Sequence, residues 1–204
     1  MSFLSLNFST DLETEMTFYG SYHANATNKL VHFIFVPTIL WSGLVWFAHP
    51  SFALAQGTVL GDIPLDISFF VALGYALYYI RLEPVAGALY TPFLYFLLYT
   101  AHLFRASVPH AVLIATGVHA LSWAMQIWAH QVFEKRAPAL LDNLFQALVL
   151  APLFVFFEFL FAFGYRPQLH QNLKNKIGVN IAAYRKGLRE AKVAAYHAEA
   201  EKKK

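Results

Sequence analysis

The histidines are the residues of this sequence whose number and placement could support chemistry. There are nine histidines and no cysteine, so a bound metal ion would need ligands from His, Asp or Glu. His23, His32 and His130 are expected near one face of a membrane, and His119 lies inside an apolar segment. Ionisable residues at such depth are usually functional because burying them in hydrocarbon is costly. The group therefore predicts a metal site, although any one histidine taken alone is as readily a hydrogen-bonded packing residue.

One apolar segment carries a polar stripe. The members of the stripe follow one another at helical spacing, namely His119, Trp123, Gln126, His130 and Glu134. Positions seven and eleven apart on a helix point within about 20° of the first position, so these side chains share one side. Because lipid would leave their polar groups without hydrogen bonds, we expect the stripe to face the interior of a helix bundle.

The spacing within this stripe limits how a single ion could be held. His130 and Glu134 are four residues apart, a separation at which two helical side chains can share one ion. His119 and His130 would be about 16 Å apart on a straight helix. Either the helix is kinked, or two metal ions are bound, or His119 is not a ligand.

The ligand types narrow the chemistry. Imidazoles with one or two carboxylates and no sulfur suit iron, zinc, copper or nickel. In a membrane setting, we favour oxygen chemistry on a lipid with non-haem Fe(II). A serine hydrolase or a nucleotide-binding protein is not indicated, since the sequence has neither a Gly-x-Ser-x-Gly elbow nor a phosphate-binding glycine motif.

The composition indicates that membrane helices position these residues. The 204-residue chain is 58% hydrophobic and 13% charged, whereas soluble domains contain about 25% charged residues. Its mean hydropathy is +0.46. These values exclude a disordered chain, a small disulfide-stabilised fold and a domain that binds nucleic acid through basic patches. Apolar segments that approach or reach the length of a membrane-spanning helix lie at 30–48, 67–80, 85–101, 111–128 and 144–163.

We therefore predict an all-α, polytopic membrane bundle with about four crossings. The last segment, 144–163, contains Pro152 near its middle and the lone carboxylate of Glu158. Because a lone carboxylate at bilayer depth is costly, we expect this segment to be broken or re-entrant. A soluble helical bundle with an unusually large core is the alternative.

The positions of Lys and Arg predict that both termini are cytoplasmic. Ten of the fifteen basic residues lie from Arg166 onward, and basic segments stay on the cytoplasmic side. The 49–66 link has no Lys or Arg and is expected on the opposite side, whereas the 81–84 link and the 129–142 loop are expected in the cytoplasm. Residues 1–29 lack the basic start and apolar core of a signal peptide.

Several short motifs occur in a specific order along the chain. They are Tyr22-His23-x4-Asn28-x3-His32, Phe35-Val36-Pro37-Thr38, Trp123-x2-Gln126-x3-His130-x3-Glu134-Lys135-Arg136-x-Pro138-Ala139-Leu140, and Ala151-Pro152 followed by Glu158. In this order they resemble the fungal 2-hydroxy fatty acid dioxygenases of phytosphingosine breakdown. The resemblance extends from about Phe18 to Arg166 and is most specific from Gln126 to Asn143. Ala129 stands where a glycine usually precedes the last histidine.

The resemblance implies an Fe(II)-dependent, multi-pass enzyme of the endoplasmic-reticulum membrane. Such an enzyme cleaves a 2-hydroxy fatty acid with O2 and yields the fatty acid one carbon shorter. The metal ligands implied are His23, His32 and His130, with His119 ranked last. We predict catalytic roles for the polar residues that accompany them, which are Asn28, Gln126 and Glu134.

Two further expectations complete this hypothesis. Arg136 is the candidate cation for steering the substrate carboxylate, with a solvated loop arginine as the alternative. Residues 1–166 are expected to form a membrane-embedded catalytic helical domain, and residues 167–204 a basic, polar cytoplasmic tail.

Two other functions remain open from the sequence. One is a non-catalytic membrane protein whose polar cluster orders the bundle or binds lipid. The other is a metal or proton transporter. A transporter should carry polar stripes through several spans, whereas the second and third apolar segments offer little beyond Tyr and Thr. Metal bound to the detergent-purified protein would distinguish the enzyme from the non-catalytic protein.

Overall fold

The structure, a computed structural model, describes residues 11–48, 65–138 and 146–202. Across these ranges the chain forms seven α-helices: α1 (Leu12–Tyr22), α2 (Ala26–Phe47), α3 (Ile67–Leu82), α4 (Pro84–Ser107), α5 (Ala111–Ala129), α6 (Ala151–Ala162) and α7 (Pro167–Lys202). Two π-helical turns, His130–Glu134 and Gln146–Leu150, continue α5 and precede α6. The described ranges contain no strand, so the predicted all-α class is confirmed for them.

Helix α2 is the centre of the bundle. It packs against α3, α4, α5 and α6, and its most extensive neighbour is α5. The helices α3 and α4 form a hairpin, and the largest fully buried side chains come from this hairpin, α2 and α6 or the turn before it: Tyr79, Tyr90, Leu44, Leu94, Leu150, Leu153, Phe154 and Phe157. Helices α2 and α5 lie side by side, and most of the predicted polar residues project from these two helices.

Within the described residues, two helices are long and apolar enough to cross a membrane, and this is fewer than the four crossings expected. They are Ala26–Phe47 and Ala111–Glu134, and a bent pair made by Leu148–Ala162 and α7 could supply a third. Helix α3 has 16 residues, about 24 Å of helix against a hydrocarbon core of about 30 Å. Helix α4 is longer, but its tyrosines, threonines, His102 and Arg105 dilute its apolar character. Most of the 49–66 link lies outside the described residues.

The chain bends at the end of the 144–163 segment, not within it at Pro152 as the sequence suggested. That proline occupies the first turn of α6, where its missing N–H would have no helical partner in any case. The chain instead turns by 118° between α6 and α7. Gly164 and Arg166, both with positive φ, lie in this turn. The geometry is that of a broken span or a re-entrant segment.

Glu158 is not the isolated carboxylate that the sequence suggested. Its Oε1 lies 2.8 Å from Nζ of Lys29 on α2, and both side chains are about one-third exposed. The two residues are far apart in sequence, so only the packing of α6 against α2 brings them together. The pair reduces the cost of placing a carboxylate on an otherwise apolar helix.

The expected tail begins where α7 begins, but the first half of this helix packs against α1. Leu169 and Leu173 are buried. Lys176 Nζ lies 2.9 Å from Glu13 Oε1, and Asn180 Nδ2 donates to Ser21 Oγ at 3.1 Å. The start of α7 therefore binds α1, and a division of the chain at residue 166 stays a prediction.

The crossing of α3 and α4 leaves no room for a side chain at Gly87. A Cβ at this position would overlap the backbone of Tyr79 and Ile80. We expect Gly87→Ala to destabilise the detergent-solubilised protein by about 2–3 kcal/mol, because backbone atoms cannot move aside as a side chain can. Gly74→Ala on α3 is the matched control, since a Cβ there meets nothing within 4 Å. Thermal unfolding of both variants measures the difference, and equal stabilities would contradict the close crossing.

Candidate metal centre

The structure brings three of the predicted histidines together from three separate elements. His23 follows α1, His32 lies in the second turn of α2, and His130 begins the π-helical turn after α5. Their ring centroids are 4.4 Å (His23–His32), 4.7 Å (His23–His130) and 4.9 Å (His32–His130) apart. One nitrogen of each ring lies within 4.8 Å of the other two, and all three residues are buried. The arrangement can hold one metal ion.

Backbone carbonyls determine which nitrogens of two rings are available. His23 Nδ1 lies 2.8 Å from the carbonyl oxygen of Tyr19, and His32 Nδ1 lies 3.0 Å from that of Asn28. A carbonyl oxygen only accepts, so in both rings the Nδ1–H donates and Nε2 keeps its lone pair. This is the arrangement by which metal-binding histidines are commonly oriented. In each case the carbonyl belongs to the residue four positions earlier, so a single turn of chain supplies both the ligand and its support.

The third imidazole has an unsatisfied nitrogen. His130 Nδ1 is buried and has no hydrogen-bond partner within the described ranges. The same holds for Asn28 Oδ1 and Gln126 Nε2. A buried polar atom left in this state costs about 1–3 kcal/mol, and such atoms often mark a site for a ligand or an ion. The donor set and these unpartnered atoms therefore fit a metal centre with a polar ligand beside it.

The electrostatics of the cluster favour neutral rings. Burial, followed by the neighbouring His32 and His130, lowers the pKa of His23 well below its ordinary value. A neutral imidazole is the form that binds a metal ion, so no proton has to be displaced near neutral pH.

Glu134 joins the two chain segments that carry His32 and His130. Its Oε1 accepts from the backbone N–H of Asn25 at 2.7 Å and from Asn28 Nδ2 at 3.1 Å. Asn25 caps the start of α2, with its side chain accepting from the N–H groups of the first turn. The sequence suggested that Glu134 could share an ion with His130, but the structure directs its carboxylate to the start of α2. A catalytic role for Glu134 stays a prediction.

The structure does not bring His119 to the cluster. Trp123 Nε1 donates to His119 Nε2 at 3.0 Å, so this nitrogen carries the lone pair and Nδ1 carries the proton. His119 Nδ1 lies 2.8 Å from Ser42 Oγ on α2 and donates to it. Both ring nitrogens are thus occupied in a link between α2 and α5. Of the three possibilities left open by the spacing, the geometry favours the one in which His119 is not a ligand.

The remaining predicted residues have different surroundings. Gln126 is buried one turn before His130 and faces a cavity between α2 and α5. Arg136 lies between two aromatic rings, 3.5 Å from the Tyr22 centroid and 4.1 Å from that of Tyr184, and donates to the Ser21 carbonyl oxygen at 3.0 Å. Arg136 therefore already serves to hold α1 and α7 together, and it is not a solvated loop arginine.

Sequence reasoning missed one member of the cluster's surroundings. The Tyr19 ring stacks on His23 with centroids 3.9 Å apart, and its carbonyl oxygen orients the same imidazole. The spacing could have indicated this contact, because residues four apart on a helix are neighbours. Tyr19 precedes His23 by four positions, as Asn28 precedes His32.

Comparisons with known proteins show the family to which the chain is similar. The profile of the family described as 2-hydroxy-palmitic acid dioxygenase Mpo1-like matches residues 9–163. The chain is 38% identical over 171 residues to the 2-hydroxy-palmitic acid dioxygenase MPO1 of Saccharomyces cerevisiae (strain ATCC 204508 / S288c), which covers 83% of this chain and 91% of the yeast protein. No solved structure matches the chain. The family match includes all three clustered histidines.

The contact between Glu134 and the start of α2 predicts how this residue acts. We expect Glu134→Ala to weaken metal binding about 10-fold or more, as is typical for loss of a residue that supports metal ligands, while the protein stays folded. Glu134→Gln keeps an acceptor oxygen and should lose less. Competition with a chelator measures the affinity, and Glu190→Ala on the exposed part of α7 is the control. Unchanged affinity in Glu134→Ala would show that the carboxylate does not support the cluster.

Proposed function

The chain belongs to the 2-hydroxy-palmitic acid dioxygenase Mpo1-like family, and from this membership we propose that it is an Fe(II)-dependent dioxygenase of 2-hydroxy fatty acids. The family is the one expected from the order of the sequence motifs. The proposed reaction uses O2 to convert a 2-hydroxy fatty acid into the fatty acid one carbon shorter. With O2 as the sole oxidant, atoms and electrons balance when the carboxyl carbon leaves as carbon dioxide and water is formed.

The observation that carries the proposal is the buried cluster of His23, His32 and His130. Three imidazoles without sulfur suit several divalent metals. Zinc has no redox chemistry, so a dioxygenase requires one of the redox-active alternatives, and we propose Fe(2+). When bound, the iron would supply the redox chemistry by which O2 oxidises the substrate.

The protein's own residues would bind and orient the substrate. Gln126 Nε2 can donate a hydrogen bond and Asn28 Oδ1 can accept one, and both atoms are buried without partners within the described ranges. A 2-hydroxy acid offers the complementary pair, a carboxylate that accepts and a hydroxyl that donates. We therefore assign these two residues to the polar head of the substrate. Glu134 is proposed as a positioning residue, because it holds Asn28 and the start of α2 in place.

The proposed location is the endoplasmic-reticulum membrane, in a multi-pass arrangement with both termini in the cytoplasm. Membrane association is supported by the two described helices of spanning length and by the many large hydrophobic side chains exposed on the surface. In this arrangement residues 1–166 form the membrane-embedded catalytic part, and the basic residues of 167–204 keep the tail on the cytoplasmic side. A transporter is not favoured, since the three histidines form one compact cluster rather than a polar path through the bundle.

The first test is whether activity depends on iron bound by the clustered histidines. Metal-depleted protein in detergent should lose cleavage of 2-hydroxypalmitic acid and regain it with ferrous ion but not with Zn²⁺. Ala substitution of His23, His32 or His130 should remove both iron and activity. His119→Ala should keep its iron, because both ring nitrogens of His119 have other partners, and His197→Ala on the exposed tail is the control. Full activity of metal-free wild-type protein would refute the iron requirement.

The second test concerns the hydroxyl group of the substrate. We expect cleavage of the 2-hydroxy acid but not of the 3-hydroxy or unsubstituted acid of equal length, because only the 2-hydroxy acid places both polar groups at the cluster. Product analysis by mass spectrometry measures the three rates. Similar rates for all three acids would show that the hydroxyl is not recognised.

A further inference from the structure

A cavity of about 170 Å³ lies between α2 and α5, and residues of α3, of the π-helical turn before α6 and of α6 complete its wall. None of the clustered histidines lines it, but the end nearest the cluster begins one helical turn from His32 and His130. At its near end lie Val36, one turn after His32 on α2, and Gln126, one turn before His130 on α5. From there it continues along both helices as far as Phe47 at the end of α2. Eleven residues of helix separate Val36 from Phe47, which corresponds to about 16 Å. The cavity is therefore elongated and leads away from the cluster.

The polar groups described in the wall of the cavity have hydrogen-bond partners in neighbouring residues, with one exception. The ring nitrogens of His119 are bonded to Ser42 and Trp123, and the Tyr75 hydroxyl donates to the carbonyl oxygen of Leu148. The exception is Gln126 Nε2, at the end beside the cluster. Such a cavity offers one hydrogen-bond donor at its inner end and an apolar surface along the rest of its length. This is the chemistry of a ligand with a polar head and a long apolar chain.

Gly43 leaves open space halfway along the cavity. It lines the wall on α2, and a Cβ at this position would meet nothing within 4 Å. A side chain can therefore begin at Gly43 without a clash at its Cβ, and a larger residue there would extend into the cavity.

From these observations we propose that the α2–α5 cavity binds the acyl chain of the substrate and that Gly43 lies beside the part of it that the distal methylenes occupy. This inference rests on the proposed function and adds to it the path of the chain. Gln126 holds the head at the cluster, and the apolar walls bind the methylenes beyond it. Because protein interiors are close-packed, the depth of the cavity limits the length of chain that fits.

A second cavity, of about 320 Å³, is the competing path for the chain. It lies on another side of α2 and is lined by residues that include Phe33, Phe93 and Phe159, from α2, α4 and α6. Its lining residues include none from α5, the helix that leads to His130. Of these two cavities, only the α2–α5 cavity is lined both by α2, which carries His32, and by α5, which leads to His130, and it is preferred for that reason.

The experiment measures kcat/KM for 2-hydroxy fatty acids of increasing length in wild type and Gly43→Leu. The leucine side chain should displace roughly three or four acyl carbons. For acids that reach past Gly43, kcat/KM should fall about fourfold for each methylene kept out of the cavity. Short acids should keep their wild-type kcat, which separates a shortened cavity from general damage to the enzyme. The longest acid that wild type accepts should no longer be the best substrate.

Two control variants complete the design. Gly117→Leu introduces the same side chain at an exposed position of α5 where a Cβ also meets nothing within 4 Å, and it should leave the length profile unchanged. Phe93→Trp narrows the competing cavity. An unchanged profile in Gly43→Leu, or a change in Phe93→Trp instead, overturns the proposed path while the dioxygenase function stands. Absence of 2-hydroxy acid cleavage in wild type would instead refute the function itself.

Discussion

Three imidazole nitrogens held within 4.8 Å of one another at a buried point are the constraint on which the rest of the structure depends. Neutral rings at this distance bring lone pairs close to one another, and burial lowers the pKa of His23, so protonation of that ring is disfavoured. The surrounding chain must therefore hold them in position until a cation is bound. Backbone carbonyl oxygens accept hydrogen bonds from Nδ1 of His23 and His32. The carboxylate of Glu134 joins the turn after α5 to the start of α2.

The ends of the helices, rather than their middles, supply this support. His23 follows the end of α1, His32 lies near the start of α2, and His130 begins the π-helical turn after α5. A π-helical turn changes the direction of side chains relative to a regular helix and is common at functional sites. Here it lets Glu134 reach the N–H of Asn25 while His130 faces the other two imidazoles. The capped start of α2 is thereby part of the site.

Part of this site could be predicted from the sequence, because the carbonyls that orient His23 and His32 belong to residues only four positions earlier. The spacing of His23, Asn28 and His32 and the stripe ending at Glu134 placed the correct residue types on neighbouring faces. The exclusion of His119 could only be suspected from the helical rise, since its partners Ser42 and Trp123 include a residue from another helix. Periodicity reports which side of a helix faces inward, but it does not report which residue of a distant helix lies opposite.

The number of spanning helices and the partner of Glu158 were mispredicted for the same reason. Hydropathy treats each segment alone, so it counted α3 as a crossing although the helix is short, and it treated Glu158 as isolated although Lys29 lies opposite. Only the second error concerns a contact of α2, the helix that also packs against α3, α4, α5 and α6.

Helix α2 connects the histidine cluster with the apolar part of the bundle. Its first turns carry Asn28 and His32, whose polar groups are held by neighbouring chain ends, whereas the turns beyond Val36 present apolar side chains to the cavity and to the exterior. Polarity thus changes along the axis of one helix in the same sense as it changes along a 2-hydroxy fatty acid. A substrate aligned with α2 keeps its head among polar groups and its chain among apolar ones. In the reverse orientation the apolar chain would leave the buried atoms of Asn28 and Gln126 unpaired and the carboxylate without a donor. Under the proposed function, the polarity that suits α2 to a membrane therefore also sets the orientation of the substrate, with its head at the cluster.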